Sequence, residues 1–359
     1  MAIKYLATGR LQGTTAERTA LSGTTPTAIP QTSWKELGRT TLSGTADDIT
    51  VSSLVAKDNI MVLSHIIPSG VLNNVMRLGN GSIDTGSNYA GRYSENGGSD
   101  GTDTSATYMV DDRSAEANDQ FWTTSITNIA NQEKLAITDI CKRGTAGAGN
   151  APERVENVGK WTNTSNVLDT FSLHNFGGGD MASGSEVVVL GCDNDEADSG
   201  TNFWQELADI EVTSGSTIDT GTITAKKYLW LDLYTVPSGS ESYSNLRFNS
   251  DTGSNYASRY NTNGGSDSTS TGGSTILFYA PTNNTERYMS AFIINKSDKE
   301  KLVIGEGIAQ TTAGAGNAPE RRELLGKWAN TSSSITSIQV ISSSGSFTTG
   351  TRLRVWGSD

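Results

Sequence analysis

The chain has 359 residues, 39 of them glycine; 18% are charged, and the formal net charge is -12. The length exceeds one usual hydrophobic core and sets an expectation of two domains of roughly 150 to 170 residues. The excess of acid argues against nucleic acid as the main partner, since a phosphate backbone requires a basic face, and it repels anionic membranes.

Residues 1–33 are rich in Thr, Gly and Ala and cannot form a core alone. They read either as a loose tail or as an extended docking arm anchored by Ile3, Tyr5 and Leu6 that lies along, or adds a strand to, a neighbour. The stretch has no continuous apolar run of export-signal length, so the mature chain is expected to begin here. Farther on, "NIMVLSHIIPSGVL" is the longest apolar segment, and His65 and Pro68 break it well short of a membrane span.

From Trp34 onward the sequence repeats itself. "SWKEL" at 33 returns as "FWQEL" at 203, "DTGSNYAGRY" at 84 as "DTGSNYASRY" at 251, and "GKWTNTS" at 159 as "GKWANTS" at 326. "NGGSD" (96 and 263), "EKL" (133 and 300) and a ten-residue identity, "TAGAGNAPER" at 145–154 and 312–321, complete the series in unchanged order. A period this long is a duplicated domain, not a solenoid repeat. The expected organisation is an arm (1–33), domain one (34–193), a polar linker (194–202) and domain two (203–359).

Within each copy, β-branched and aromatic runs are punctuated by Gly, Ser, Asn and Pro: "YLWLDLYTV", "STILFYA", "MSAFIIN", "KLVIGEG" and "RLRVWG" in the second, "NIMVLSHII", "KLAITDIC" and "EVVVLG" in the first. Only Trp34 to Leu37 and Trp204 to Leu207 read as candidate helical turns. Eight or nine strands per copy predict an all-β chain of two tandem, duplicated β-sandwich domains, jelly-roll-like, with an extended N-terminal arm.

Residues that could carry chemistry are few. His65 and His174 fall in the first copy, where the second has Tyr234 and Ile341, which disfavours a histidine triad. Cys141 and Cys192 are matched by Ile308 and Ser358, so reduced thiols are expected, and nothing has zinc spacing. No cofactor is expected. The "DTGSN" segments read as turns capped by their own Asp and Asn, with calcium as a lesser reading, and "DNDEADSG" from Asp193 as a linker. Glu153 and Glu320 stand at matching places beside Arg154 and Arg321; a local ion pair or a strand-end contact is the ordinary explanation and a glycoside-cleaving acid pair the remote one.

"TAGAGNAPER" lacks any P-loop pattern. Gly147, Gly149, Gly314 and Gly316 would allow positive φ, and Pro152 and Pro319 would fix the exit, making it a structural turn and a candidate contact between modules or subunits. In "NYAxRY", alternation places Tyr89 with Tyr93, and Tyr256 with Tyr260, on one face, with Arg92 and Arg259 on the other; these six are candidate interface or glycan contacts.

Taken together, "MAIKYLATGRLQGTTAERTAL", "SWKELGRTTL", "GSNYAGRYSENGGSDG", "AGAGNAPER" and "GKW" resemble virion structural proteins of tailed bacteriophages of marine and environmental type. The resemblance spans nearly the whole chain and implies a non-enzymatic protein on the particle exterior: capsid decoration or cement, head fibre, or a tail-associated protein. It implies assembly in the host cytoplasm, contact with the major capsid protein or other virion proteins, and a homo-oligomer, a trimer by analogy. It supplies no catalytic residues, and a host-glycan adhesin stays open beside it.

Overall fold

The structure is a computed structural model that describes residues 4–5, 11–12, 34–112, 116–193, 202–238, 244–279, 285–310 and 314–359. Of the expected arm anchors, Ile3 and Leu6 lie outside the described residues. Tyr5 falls in a two-residue strand, β1 (Lys4–Tyr5), which pairs with β2 (Leu11–Gln12) and is described only in its backbone.

Domain one comprises β3 (Lys35–Thr41), β4 (Asp48–Val51), β5 (Asn59–Ile66), β6 (Asn74–Asn80), β7 (Ser82–Ile83), β8 (Tyr89–Glu95), β9 (Gly101–Ala106) and β10 (Val110–Asp111). It continues with β11 (Gln120–Thr127), β12 (Lys134–Lys142), β13 (Glu153–Trp161), β14 (Thr170–Asn175) and β15 (Glu186–Cys192). Domain two begins with β16 (Gln205–Gly215), β17 (Thr217–Asp219), β18 (Tyr228–Thr235), β19 (Pro237–Ser238), β20 (Ser244–Phe248), β21 (Tyr256–Thr262) and β22 (Ser268–Gly273). It ends with β23 (Ile276–Tyr279), β24 (Arg287–Ile294), β25 (Lys301–Ala309), β26 (Glu320–Trp328), β27 (Ile338–Ser342) and β28 (Ser346–Ser358).

Each domain is an antiparallel sandwich of one large and one small sheet. In domain one the large sheet runs β3, β15, β5, β11, β12, β13, β8, β9, and the small one β10, β6, β14, β4 with β7 beside β6. Domain two repeats the plan as β16, β28, β18, β24, β25, β26, β21, β22 over β17, β27, β20, β23. The chain passes back and forth between layers, the jelly-roll habit, and the described residues are all-β without helix. The strand tally exceeds eight or nine because short pieces such as β7, β10 and β19 were not legible as runs. Trp34 to Leu37 and Trp204 to Leu207 lead into strands, not helical turns, because the edges of β15 and β28 offer their backbones a ladder.

The repeated motifs hold each sandwich shut. Asp84 Oδ1 accepts from Gly86 N at 2.8 Å, while Oδ2 accepts from Asn88 Nδ2 at 2.9 Å and from the indole of Trp161 at 2.8 Å. Asp251, Gly253, Asn255 and Trp328 repeat the arrangement. The turn reading of "DTGSN" thus holds, and the Trp of "GKW" is its distant partner. The Lys of "EKL" does similar work: Lys134 Nζ donates to the carbonyls of Ile129, Gln132 and Asn163, and Lys301 Nζ to those of Ser297, Lys299 and Asn330. A buried ammonium needs such acceptors, and here it ties three loop carbonyls to one strand.

Candidate assembly interface

Side chains alternate across a strand, so each large sheet turns one face to its own small sheet and the other outward. The outward faces of the two large sheets meet. Leu63, Phe121, Cys141, Val188 and Leu190 of domain one form one buried cluster with Tyr228, Ile294, Leu302, Ile304, Leu325 and Trp356 of domain two, closed by Phe203 and Trp204 of the second "FWQEL". Strand β18 is therefore apolar on both faces, which is why "YLWLDLY" reads as a nearly continuous run.

The contact is asymmetric. Domain one uses the end of its face next to the 143–152 connection, and domain two the opposite end, beside the turn that precedes β25. Connection 145–154 of domain one is the centre of this joint. Gly147 N donates to Glu300 Oε1 at 2.6 Å, Lys327 Nζ donates to the carbonyls of Arg143 and Thr145 at 3.1 and 2.7 Å, and Gly272 N donates to Ala148 O at 2.7 Å. Arg259 Nε donates to Pro152 O at 2.8 Å. Arg154, 4% exposed, places Nη2 at 2.7 Å from Asp267 Oδ1 and Nη1 at 2.6 Å from Glu323 Oε2, and also bonds Glu156. At the other side of the joint Glu186 accepts from Lys227 at 2.7 Å and from the Tyr228 hydroxyl at 2.9 Å. Burial works to raise the Glu186 carboxyl, yet those two groups and Thr41 hold it below its ordinary range.

The expected local pairing of Glu153 with Arg154 does not form. Arg154 points across the joint, whereas Glu153 faces Glu116 and is pushed up to about 7 by desolvation and that neighbour. In the second copy Arg321 pairs with Glu323 at 3.0 Å, again not with the adjacent glutamate. Gly147 and Gly314 have φ of +86° and +97°, as the turn reading requires. Gly149 and Gly316 do not: their φ lies outside the left-handed region and open space surrounds them. One left-handed residue suffices for this turn, in which Asn150 N and Asn317 N approach the carbonyls of Gly147 and Gly314 in the same way.

Of the "NYAxRY" residues, Tyr89 and Tyr256 are core, 1% and 0% exposed, with hydroxyls bonded to the backbones of Leu78 and Phe248 and rings stacked on Trp161 and Trp328. They present nothing to a glycan or a neighbour. Tyr93 and Tyr260 are half-buried, the latter under the Arg322 guanidinium at 4.0 Å. Arg259 alone of the six lies in the domain joint, and Arg92 is 57% exposed beside Asp100. Sequence reasoning missed Asp267, Glu300, Lys327, Leu302 and Leu325, although every one stands in or beside a repeated anchor, "NGGSD", "EKL" or "GKW".

Two guanidinium groups, Arg154 and Arg259, share the joint with five carboxyls, Asp139, Glu156, Asp267, Glu306 and Glu323, and the solvated Arg321 reaches Glu323 from the edge. The surplus of acid takes up protons: desolvation and then Glu323, against Arg154, push Glu156 up to about 8, and desolvation with Glu306 and Glu323 pushes Asp139 up to about 7. The folded chain therefore holds protons that the unfolded chain has released, so these groups make stability fall as pH rises toward 8. Below about pH 6.5 His65, buried and held neutral by desolvation and nearby lysines, acts in the opposite sense. Between about pH 6.5 and 8 the denaturation midpoint is thus expected to fall, by on the order of 1 kcal/mol after solvent screening. Glu156→Gln should flatten that slope; an unchanged slope in urea titrations would contradict the assignment.

No family model matches the chain, and no curated protein does. Among solved structures, the chain is similar to the crystal structure of the LG1-3 region of the laminin alpha2 chain, at 7% identity and a TM-score of 0.22, covering 87% of this chain and 64% of that one. It is similar also to domains LG4-5 of the mouse laminin alpha1 chain, at 13% identity and a TM-score of 0.19, covering 92% and 93%. The chain thus spans less than two thirds of the laminin alpha2 fragment.

Proposed function

We propose that this chain is a non-enzymatic structural protein of the exterior of a tailed-phage particle, a capsid decoration, cement or head-fibre protein. Its work is assembly, with the major capsid protein or other virion proteins as partners and residues 1–33 as the docking segment. The observation that carries the reading is the use made of the shared motifs. "GSNYAGRY", "GNAPER" and "GKW", which carry the resemblance, supply core tyrosines, a turn-locking tryptophan and an arginine that bridges two sandwiches. These are contacts that join sheets, and they place no nucleophile, acid or base against an open cleft. The tyrosine platform of a glycan adhesin is weakened by the burial of Tyr89 and Tyr256.

The test is the composition of purified particles. The chain is expected at a fixed ratio to the major capsid protein, and accessible to antibody on intact particles. Its absence from them in stoichiometric amount would defeat the proposal.

A further inference from the structure

The joint between the domains consumes half of each outward sheet face and leaves its complement uncovered. Call the connection end, as used by domain one, the plug, and the turn end, as used by domain two, the socket. The duplication gives domain two a plug of its own and domain one a socket of its own, and both are open to solvent.

The correspondence holds at part of the apolar positions. In the occupied socket Leu302, Ile304 and Leu325 are 0%, 5% and 2% exposed; their counterparts Leu135, Ile137 and Val158 are 53%, 60% and 48% exposed around a depression of about 820 Å³. In the occupied plug Phe121 and Cys141 are fully buried; their counterparts Tyr288 and Ile308 are 44% and 46% exposed, Tyr234 beside them is 42% exposed, and Leu63 and Val188 are matched by the charged Asp232 and Arg354. These six account for most of the large apolar side chains exposed among the described residues. Contiguous apolar surface of this kind marks an interaction site.

The polar fittings are also duplicated. The buried pair Glu300 and Lys327 becomes Glu133 and Lys160, 3.0 Å apart and 39% and 43% exposed. Asp267, which holds Arg154, becomes Asp100 at 53% exposure, and Arg154 becomes Arg321 at 63%. The ten residues of the connection are identical, and residues 314–319 are exposed where Ala148 and Pro152 are buried. One further pair is exchanged in sign. Glu186 of the plug bonds Lys227 of the socket, and the counterparts are Arg352 and Asp58, again of opposite charge.

We infer that the plug of domain two docks in the socket of domain one of a second copy of this chain, reproducing between chains the joint within each. Such a contact is heterologous, so repetition closes a ring or extends a filament according to the angle of the joint. The aromatic part of the occupied socket is duplicated only at Trp34, the counterpart of Trp204, since Trp230 and Phe292 are matched by Met61 and Ser125, so the contact between chains is weaker than the one within. The inference is independent of the virion reading.

Sedimentation of the full chain over a concentration series up to about 1 mM tests it. Self-association is expected, weakened at least about tenfold by Arg321→Asp or by Asp100→Arg, both at exposed positions, in variants whose urea unfolding shows the joint within the chain intact. An equimolar mixture of the two variants is expected to recover association, because each plug then finds a socket of opposite charge only on the other variant and the two alternate. A wild-type chain that stays monomeric throughout, or an association indifferent to both substitutions, overturns the inference. So does protection from hydrogen exchange at Leu135 and Ile137 that vanishes on deletion of residues 1–33, which would give the socket to the chain's own N-terminal segment.

Discussion

Arg154→Met is expected to destabilise the protein by about 3–5 kcal/mol, because it strips a buried guanidinium from Asp267 and Glu323 and leaves their charges with insufficient compensation. Asp267 is 3% exposed and cannot recruit water in place of its bidentate partner. Arg321→Met, the same change at the identical motif in domain two, is expected to cost less than about 0.5 kcal/mol, since that side chain is solvated. Urea unfolding followed by tryptophan fluorescence gives both numbers. Equal losses in the two variants would show that the motif acts within its own domain and that the joint is not what its arginine stabilises.

Trp204→Ala carries the second large effect, about 3–5 kcal/mol. Its indole is 1% exposed and lies against Phe203, Trp230 and Phe292 at centroid distances of 5.0, 5.8 and 6.0 Å. Truncation leaves a void in the apolar cluster of the joint, and sheet backbones on either side cannot collapse into the space as loops could. Hydrogen exchange should therefore quicken first at Leu63, Val188 and Trp356, which share the cluster, before either sandwich core is affected. A loss below about 1 kcal/mol, or exchange that rises first around Trp161 or Trp328, would place the tryptophan's role elsewhere.

Which side chains face which neighbour was only partly legible in sequence. The two anchors "DTGSN" and "GKW" are evident as repeats, but the bond from indole to Asp84 joins residues 77 apart in the chain, and no local rule pairs them. Likewise "TAGAGNAPER" is recognisable as a demanding turn. That Ala148, Pro152 and Arg154 are buried in its first copy while residues 314–319 and Arg321 are exposed in its second follows from the single joint between two duplicated units, in which one face end of each must remain unmatched. Alternation put Tyr89 and Tyr93 on one side of their strand, yet it does not say which side is inward, and Tyr89 is core.

What the amino-acid sequence determined alone is the unit: an all-β sandwich, made twice, with its turns marked by Gly, Asn and Asp, because strand periodicity and turn chemistry are local properties of the chain. The tertiary structure decided the relation between units. A charged residue such as Arg154 or Arg321 has the same local sequence in both copies, and only the surface it meets, at a separation of 113 residues for Arg154 and Asp267, makes one a buried bridge and leaves the other in water. Burial and charge pairing are set by distance in space, and the duplication shows that identical segments can differ wholly in both.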